Sequence, residues 1–271
     1  MSTLCLTLRE PPSQRIDMSP LSPDRLTGKT PVQIAAIELA SGNRTLRVDS
    51  LFTISGQFAS EVEIRDGCAK LDRIGQGMTR GRIIVRGDAG AYLGAQMGGG
   101  VLEVHGNCGA YGATGMKAGL VHVLGNAGDF LAAAIPGDHQ GMQGGMIVVG
   151  GNAGERVGDR MRRGVVLIEG NAGDYCASRM LAGTIAVWGK VGKFPGWAMK
   201  RGTLLLQDAP GELLPTFNDC GEHPLTFLTL AVRSWRTLPG KFATLPDSRI
   251  RVRRYMGDLA NDGRGEILVW V

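Results

Sequence analysis

Few side chains in this sequence are of a type and spacing able to do chemistry. There are four histidines: His105, His122, His139 and His223. His105 and His122 fall near Glu103, so a His/Glu metal cluster is one reading. Only one carboxylate is in register with them, and a solvated polar face is the other reading. Asp138 and His139 are adjacent, a pair suited to proton transfer or, in a loop, to docking. The five cysteines, Cys5, Cys68, Cys108, Cys176 and Cys220, are odd in number and widely spaced, with no CxxC pair. Neither a zinc ribbon nor a redox dithiol is expected, and they read as reduced, mostly buried thiols. Gly87-Asp88-Ala89-Gly90 resembles a phosphate-binding glycine loop. The pattern recurs in segments too short to carry the helix such a loop requires. Calcium-binding rolls need carboxylates in register, whereas Asp88 is followed in its column by Asn107, Asn126, Asn152 and Asn171. Those amides suit a hydrogen-bonded ladder. No catalytic residue and no metal ligand is assigned.

The remaining candidates are cations. The two residues after each member of a methionine column (Met78, Met97, Met116, Met142, Met161, Met180, Met199) include Arg80, Lys117, Arg162, Arg163, Lys200 and Arg201, and no acid. If these positions line one edge, the edge attracts a polyanion or an acidic subunit surface. The alternative is that exposed corners carry charge for solubility.

The elements that would position those cations are repeats. Gly87, Gly106, Gly125, Gly151, Gly170 and Gly189 are separated by 19, 19, 26, 19 and 19 residues, so one 7-residue insertion lies around 133–140. Each unit holds two fixed apolar positions, such as Ile83 and Val85 or Val166 and Ile168, with variable residues between and after them. This is the period-two pattern of a short strand with one buried face. A glycine corner follows, and then a largely aromatic column: Tyr92, Tyr111, Phe130, Arg156, Tyr175, Phe194. A 19-residue unit is too short for two helices or a propeller blade. It predicts a right-handed parallel β-helix, or β-solenoid, of about seven turns over 62–207. Like positions would then stack at the strand spacing of about 4.8 Å.

Residues 1–61 are expected to form a cap or partner arm, with strand-like segments at 4–8, 34–39, 46–48 and 51–54. Residues 208–271 are expected to supply a helix over 224–238, strands over 249–255 and 266–271, and a docked apolar terminus. Of the 42 glycines, 33 lie in 62–207, so the glycine excess belongs to the repeat and not to disorder. The net charge of +5 also sits there, as 16 basic against 11 acidic residues. It permits an acidic partner but does not argue for nucleic acid. No apolar run is long enough for a spanning helix, and no signal peptide is visible, so a cytoplasmic protein is the default.

The chain resembles the C subunits of formylmethanofuran dehydrogenases, and more closely those of bacterial formyltransferase/hydrolase complexes. The resemblance runs through residues 15–21 (Arg-Ile-Asp-Met-Ser-Pro-Leu), 51–56 (Leu-Phe-Thr-Ile-Ser-Gly), the Gly-Asn-Ala-Gly corners, 254–258 (Arg-Tyr-Met-Gly-Asp) and 265–269 (Gly-Glu-Ile-Leu-Val). The repeat alone is similar to the C-terminal β-helical domain of the glutamate synthase large subunit. The resemblance implies a non-catalytic structural subunit of a hetero-oligomer. Its complex passes formyl groups from formyl-tetrahydromethanopterin, through a methanofuran-type carrier, to formate. Transferase and amidohydrolase-like subunits are the implied partners, with a metal in the hydrolase subunit and no cofactor held with assurance by this chain. Such carriers have a glutamate-rich tail, which the basic edge would suit. An archaeal-type dehydrogenase subunit and a glutamate-synthase-like structural domain are the alternatives.

Overall fold

The period-two apolar pairs become strands. Arg82–Gly87, Val101–Val104, Leu120–Val123, Gln143–Val149, Arg163–Ile168, Thr184–Val187 and Thr203–Leu206 pair in parallel. Ile83 thus lies beside Leu102, then Val121, Ile147, Val166, Ile185 and Leu204. The insertion does not shift the ladder, because Val121 pairs directly with Ile147. The computed structural model describes residues 3–238, 240–246 and 250–271, without the side chains of residues 58 and 59. It is mostly β, with one 13-stranded sheet, one 4-stranded sheet and a few short helices.

Neighbouring units touch along most of their length. A second line of parallel bridges joins Ala89, Cys108, Ala127, Ala153, Ala172 and Val191. Between the two lines the methionine column is fully buried, and each methionine methyl lies beneath a glycine of the following unit. A Cβ at Gly119 would meet Met97 Cε at 2.7 Å, and one at Gly183 would meet Met161 Cε at 3.0 Å; both glycines have positive φ, +99° and +105°. Side chains are excluded there by both the space and the backbone.

The aromatic column occupies left-handed backbone. Tyr92, Tyr111, Phe130, Arg156, Tyr175 and Phe194 have φ between 56° and 61°, a conformation that costs a non-glycine residue about 1–2 kcal/mol. Stacking offsets the cost. The Tyr111 amide donates to Asp129 O of the next unit at 2.9 Å, and the Tyr111 and Phe130 rings lie 4.8 Å apart and nearly parallel.

The parallel ladder extends into both flanks. Thr3–Leu8 pairs in parallel with Phe58–Gly67, which pairs with Arg82–Gly87, and at the far end Gly265–Trp270 pairs in parallel with Thr203–Leu206. Antiparallel strands close the two edges: Phe52–Ser55 at one, and Arg251–Gly257 followed by Asn218–Pro224 at the other. The expected strand over 34–39 is replaced by a helix, Pro31–Ala35, and a strand, Glu38–Ser41. Thr30 caps that helix in a reciprocal pair with Gln33, and Pro31 stands at its first position, a local signal that outweighs the apolar run. The segment 46–48 is likewise split between Arg44–Arg47, a strand, and Val48–Leu51, a helical turn. The C-terminal helix is shorter than expected, Thr226–Trp235. The strand expected from 249 is seen from Arg251; residue 249 lies outside the described residues.

That helix changes the reading of the sheet's outer face. Val148, Leu167, Ala186, Leu205 and Leu268 project from it and are buried with Leu228, Val232, Trp235 and Phe242 in a second core. The N-terminal half of the face, with Glu63, Glu103 and His105, keeps a polar character.

Candidate functional site

The amide column forms the ladder its chemistry suggested. The Asn107 amide donates to Asp88 Oδ1 at 2.7 Å, and Asn126, Asn152, Asn171 and Lys190 repeat the contact at 2.7–2.8 Å, each on the side chain one unit earlier. These side chains are committed to main chain, which leaves corner geometry as their role. His105 lies between Glu103, 2.6 Å away, and Arg86, at 3.0 Å. The Glu103 carboxyl is desolvated, but bonds from Arg82 and His105 outweigh that and hold it below its ordinary pKa. His122 is half-buried, and its burial lowers its pKa. His223 faces Cys220 O at 2.8 Å. No group of three or more metal-type ligands is present among the described residues. Burial pushes the Cys108 and Cys176 thiols up to about 12, out of the reactive range.

The six predicted cations are all exposed but do not act alike. Arg162, Arg163, Lys200 and Arg201 line one hollow of about 410 Å³, with Leu181 and Ala182 between them. The ladder sets this arrangement. The Arg162, Leu181 and Lys200 amides donate to Met142 O, Met161 O and Met180 O, all at 2.8 Å. They are therefore successive steps of one column, and Arg162 and Lys200 stand two steps, about 10 Å, apart. Arg80 is set apart, 3.5 Å from Asp24 of the N-terminal flank. Lys117 is exposed on an intermediate unit and lines none of these hollows.

The hollow continues into a second of about 320 Å³, lined by His139, Arg160, Arg179, Leu181, Ala198 and Lys200, and then a third of about 280 Å³ beneath the insertion. Arg160 and Arg179 line both of these. Arg179 is fixed by the buried Asp159: Nε donates to Oδ1 at 2.8 Å and Nη2 to Oδ2, while Ser178 Oγ donates to the same carboxylate at 2.9 Å. The first two hollows share Leu181 and Lys200 and form a cationic groove, for which a multivalent anion is the ligand its electrostatics favour; the third sets Asp138 and Asp159 against Arg160 and Arg179. Sequence reasoning missed Asp159, Arg160, Ser178 and Arg179. The available signal was the 19-residue spacing of Asp159 and Ser178, and of Arg160 and Arg179 just before the methionine column.

Residues 76–220 match the GXGXG motif family. The C subunit of the formyltransferase/hydrolase complex of Methylorubrum extorquens is 46% identical over 269 residues, covering 99% of each chain. This chain belongs to the family of formyltransferase/hydrolase complex C subunits. A crystal structure of that Methylorubrum complex, FhcABCD with methylofuran bound, holds a chain that superposes on this one with a TM-score of 0.91, at 38% identity and 98% coverage of both chains. The C subunit of the tungsten-containing formylmethanofuran dehydrogenase 2 of Methanococcus maripaludis is 36% identical over 96 residues. That match spans about a third of each chain, 35% of this one and 35% of the archaeal protein. Among the described residues, no helix is long and apolar enough to cross a membrane.

Proposed function

We propose that this chain is the non-catalytic structural subunit of a cytoplasmic formyltransferase/hydrolase complex. The complex passes formyl groups from formyl-tetrahydromethanopterin, by way of a methanofuran-type carrier, to formate. The observation that carries this reading is the end-to-end similarity to the Methylorubrum protein, which includes both flanks as well as the repeat. An archaeal-type dehydrogenase role is the weaker reading, because that likeness spans about a third of the chain. The partners are a transferase and an amidohydrolase-like subunit, with the metal in the latter. The parallel ladders support closure of residues 62–207 into a right-handed β-helix of about seven turns, flanked by a cap over 1–61 and a C-terminal unit over 208–271.

The edge bearing Arg80, Lys117, Arg162, Arg163, Lys200 and Arg201 is read as the anion-contacting surface. Arg162, Arg163, Lys200 and Arg201 would hold carboxylates of the carrier's tail or of an acidic subunit face, and the donor set fits carboxylates. The test is co-purification from the native host, with a formyltransferase assay on the isolate. Transferase and hydrolase subunits should accompany the chain, and activity should require them. A chain recovered from the host without them, or activity in the chain by itself, would overturn the reading. Changing both Arg162 and Arg163 to Glu should reduce carrier or subunit retention at least tenfold, and unchanged retention of both would retire the basic edge.

A further inference from the structure

The insertion crosses one end of the cationic groove as a strap. Its feet are pinned by main chain: the Ala134 amide donates to Asp159 O at 3.0 Å, Gly141 to Arg160 O at 2.9 Å and Met142 to Ala132 O at 2.8 Å. The span between them is held differently. It has an internal turn, Asp138 N–H to Ile135 O at 3.0 Å, and a side-chain contact from the body, Arg160 Nη1 to Asp138 O at 3.1 Å. Beneath the strap lies the 280 Å³ hollow, floored by Tyr111 and Phe130.

Arg160 and Arg179 form the wall between this hollow and the next, but they are held by bonds of different strength. Arg179 grips a buried carboxylate through two nitrogens. Arg160 rests on a neutral carbonyl, in a groove whose other near cations are Arg179 and Lys200. Both contacts have a charged donor, but a carboxylate or phosphate adds ion-pair attraction and can accept from two guanidinium nitrogens, which a neutral carbonyl oxygen cannot match. An anion entering the groove therefore competes well for Arg160 and poorly for Arg179.

We propose that Arg160 is a latch: an anion bound beside Arg179 and Lys200 draws Arg160 off Asp138 O, frees the span 135–140 and opens the Tyr111/Phe130 hollow. The inference rests on the anion-contacting reading of the groove. The coupling is reciprocal, so a strap that opens more easily raises the groove's affinity for the anion.

The experiment is hydrogen exchange on the full chain, with hexaglutamate as the probe and hexaglutamine as the uncharged control. Labelled hexaglutamate binding is measured in parallel by fluorescence anisotropy. The Asp138 amide, which donates to Ile135 O, should exchange about tenfold faster with hexaglutamate, and equally fast without it in Arg160→Met, while Ala134, Gly141 and Met142 stay protected. Arg160→Lys, which keeps the charge, should give a smaller rise and serves as the folding control. If hexaglutamate binds and the span does not respond, the latch is wrong and the groove stands. If hexaglutamate does not bind, the anion-contacting reading itself fails and the latch with it. Unchanged exchange in Arg160→Met refutes the latch whatever the groove binds.

Discussion

The contact that fixes the groove's wall should be sensitive to a single isosteric change, Asp159→Asn. The Asp159 side chain is 4% exposed and that of Arg179 36%. Breaking a fully buried ion pair by removing one partner costs about 3–5 kcal/mol, whereas exposed pairs contribute about 0–1 kcal/mol. Arg179 can turn partly into water, and the introduced amide would still accept from Ser178 Oγ, so the cost should fall between those limits, near 2 kcal/mol. For a chain of this size that corresponds to a Tm lower by about 4–8 °C. The assay is thermal and urea unfolding of the full chain, with Asp138→Asn as control. Asp138 is exposed and contributes its carbonyl, not its carboxylate, to the latch, so its change should stay within about 0.5 kcal/mol. The loss in Asp159→Asn should persist in half-molar salt, because a pair shielded from water is weakly screened. A stability within about 0.5 kcal/mol of the parent would refute the claim that this ion pair organises the wall.

Two further changes test the flanks and the sheet face. Trp235→Ala removes a buried ring that meets Phe242 edge-on at 5.8 Å. It should cost about 3–5 kcal/mol and, by unseating the C-terminal helix from Val148, Leu167 and Leu205, should increase binding of a hydrophobic dye; a native dye signal would argue against that cover. Arg86 first, then Arg65 and Cys5, hold the Glu63 carboxyl at about 2 against an ordinary 4.5, despite its partial burial. Its folded pKa is depressed, so its contribution is complete above the ordinary value and is lost as pH falls from about 4.5 toward 2. The stability gap between the parent and Glu63→Gln should close over that window in an acid titration, and a pH-independent gap would contradict it.

How far the sequence could be read depended on whether each feature repeats. Ile83 and Val85, Met97, Asn107 and Tyr111 each stand in a column. A column states its environment several times over, so buried, ladder and corner positions were legible without a structure. Features that occur once were legible in part: the strands near 4–8, 51–54 and 266–271 and the C-terminal helix were, but others were not. The segment 34–39 is apolar enough for a strand, and its helical start was decided by Thr30, Pro31 and Gln33, a cap lying outside the apolar run. The cover over the outer face was partly written in the column itself, which changes from Glu103 and His122 to Val148, Leu167 and Ala186. What the column could not state was which segment buries it. The basic edge was read from residues after the methionine, while the groove's firmest contact, Asp159 to Arg179, lies just before it. A buried carboxylate is recognised by its partners, and those are brought together only by stacking.

The same logic decides which relatives inform function. The repeat's requirements are met by glycine, methionine and alternating apolar residues, and a chain that satisfies them need share nothing else. The flanks are different, because they are built into the stack at specific points. Arg15 reaches Asp72 at 2.7 Å, Asp24 accepts from the Thr79 amide and hydroxyl at 2.8 and 2.7 Å, and the buried Asp258 accepts from the Ala198 amide at 3.1 Å. Each of these joins a flank to a particular unit of the repeat, and Thr3–Leu8 and Gly265–Trp270 extend the parallel ladder at either end. A relative that matches through both flanks therefore shares the way the stack is terminated. A relative that matches over about a third of its length can share the repeat while differing at both ends. Identity of 46% over 269 residues is thus evidence about the whole chain, flanks included, in a way that 36% over 96 residues is not.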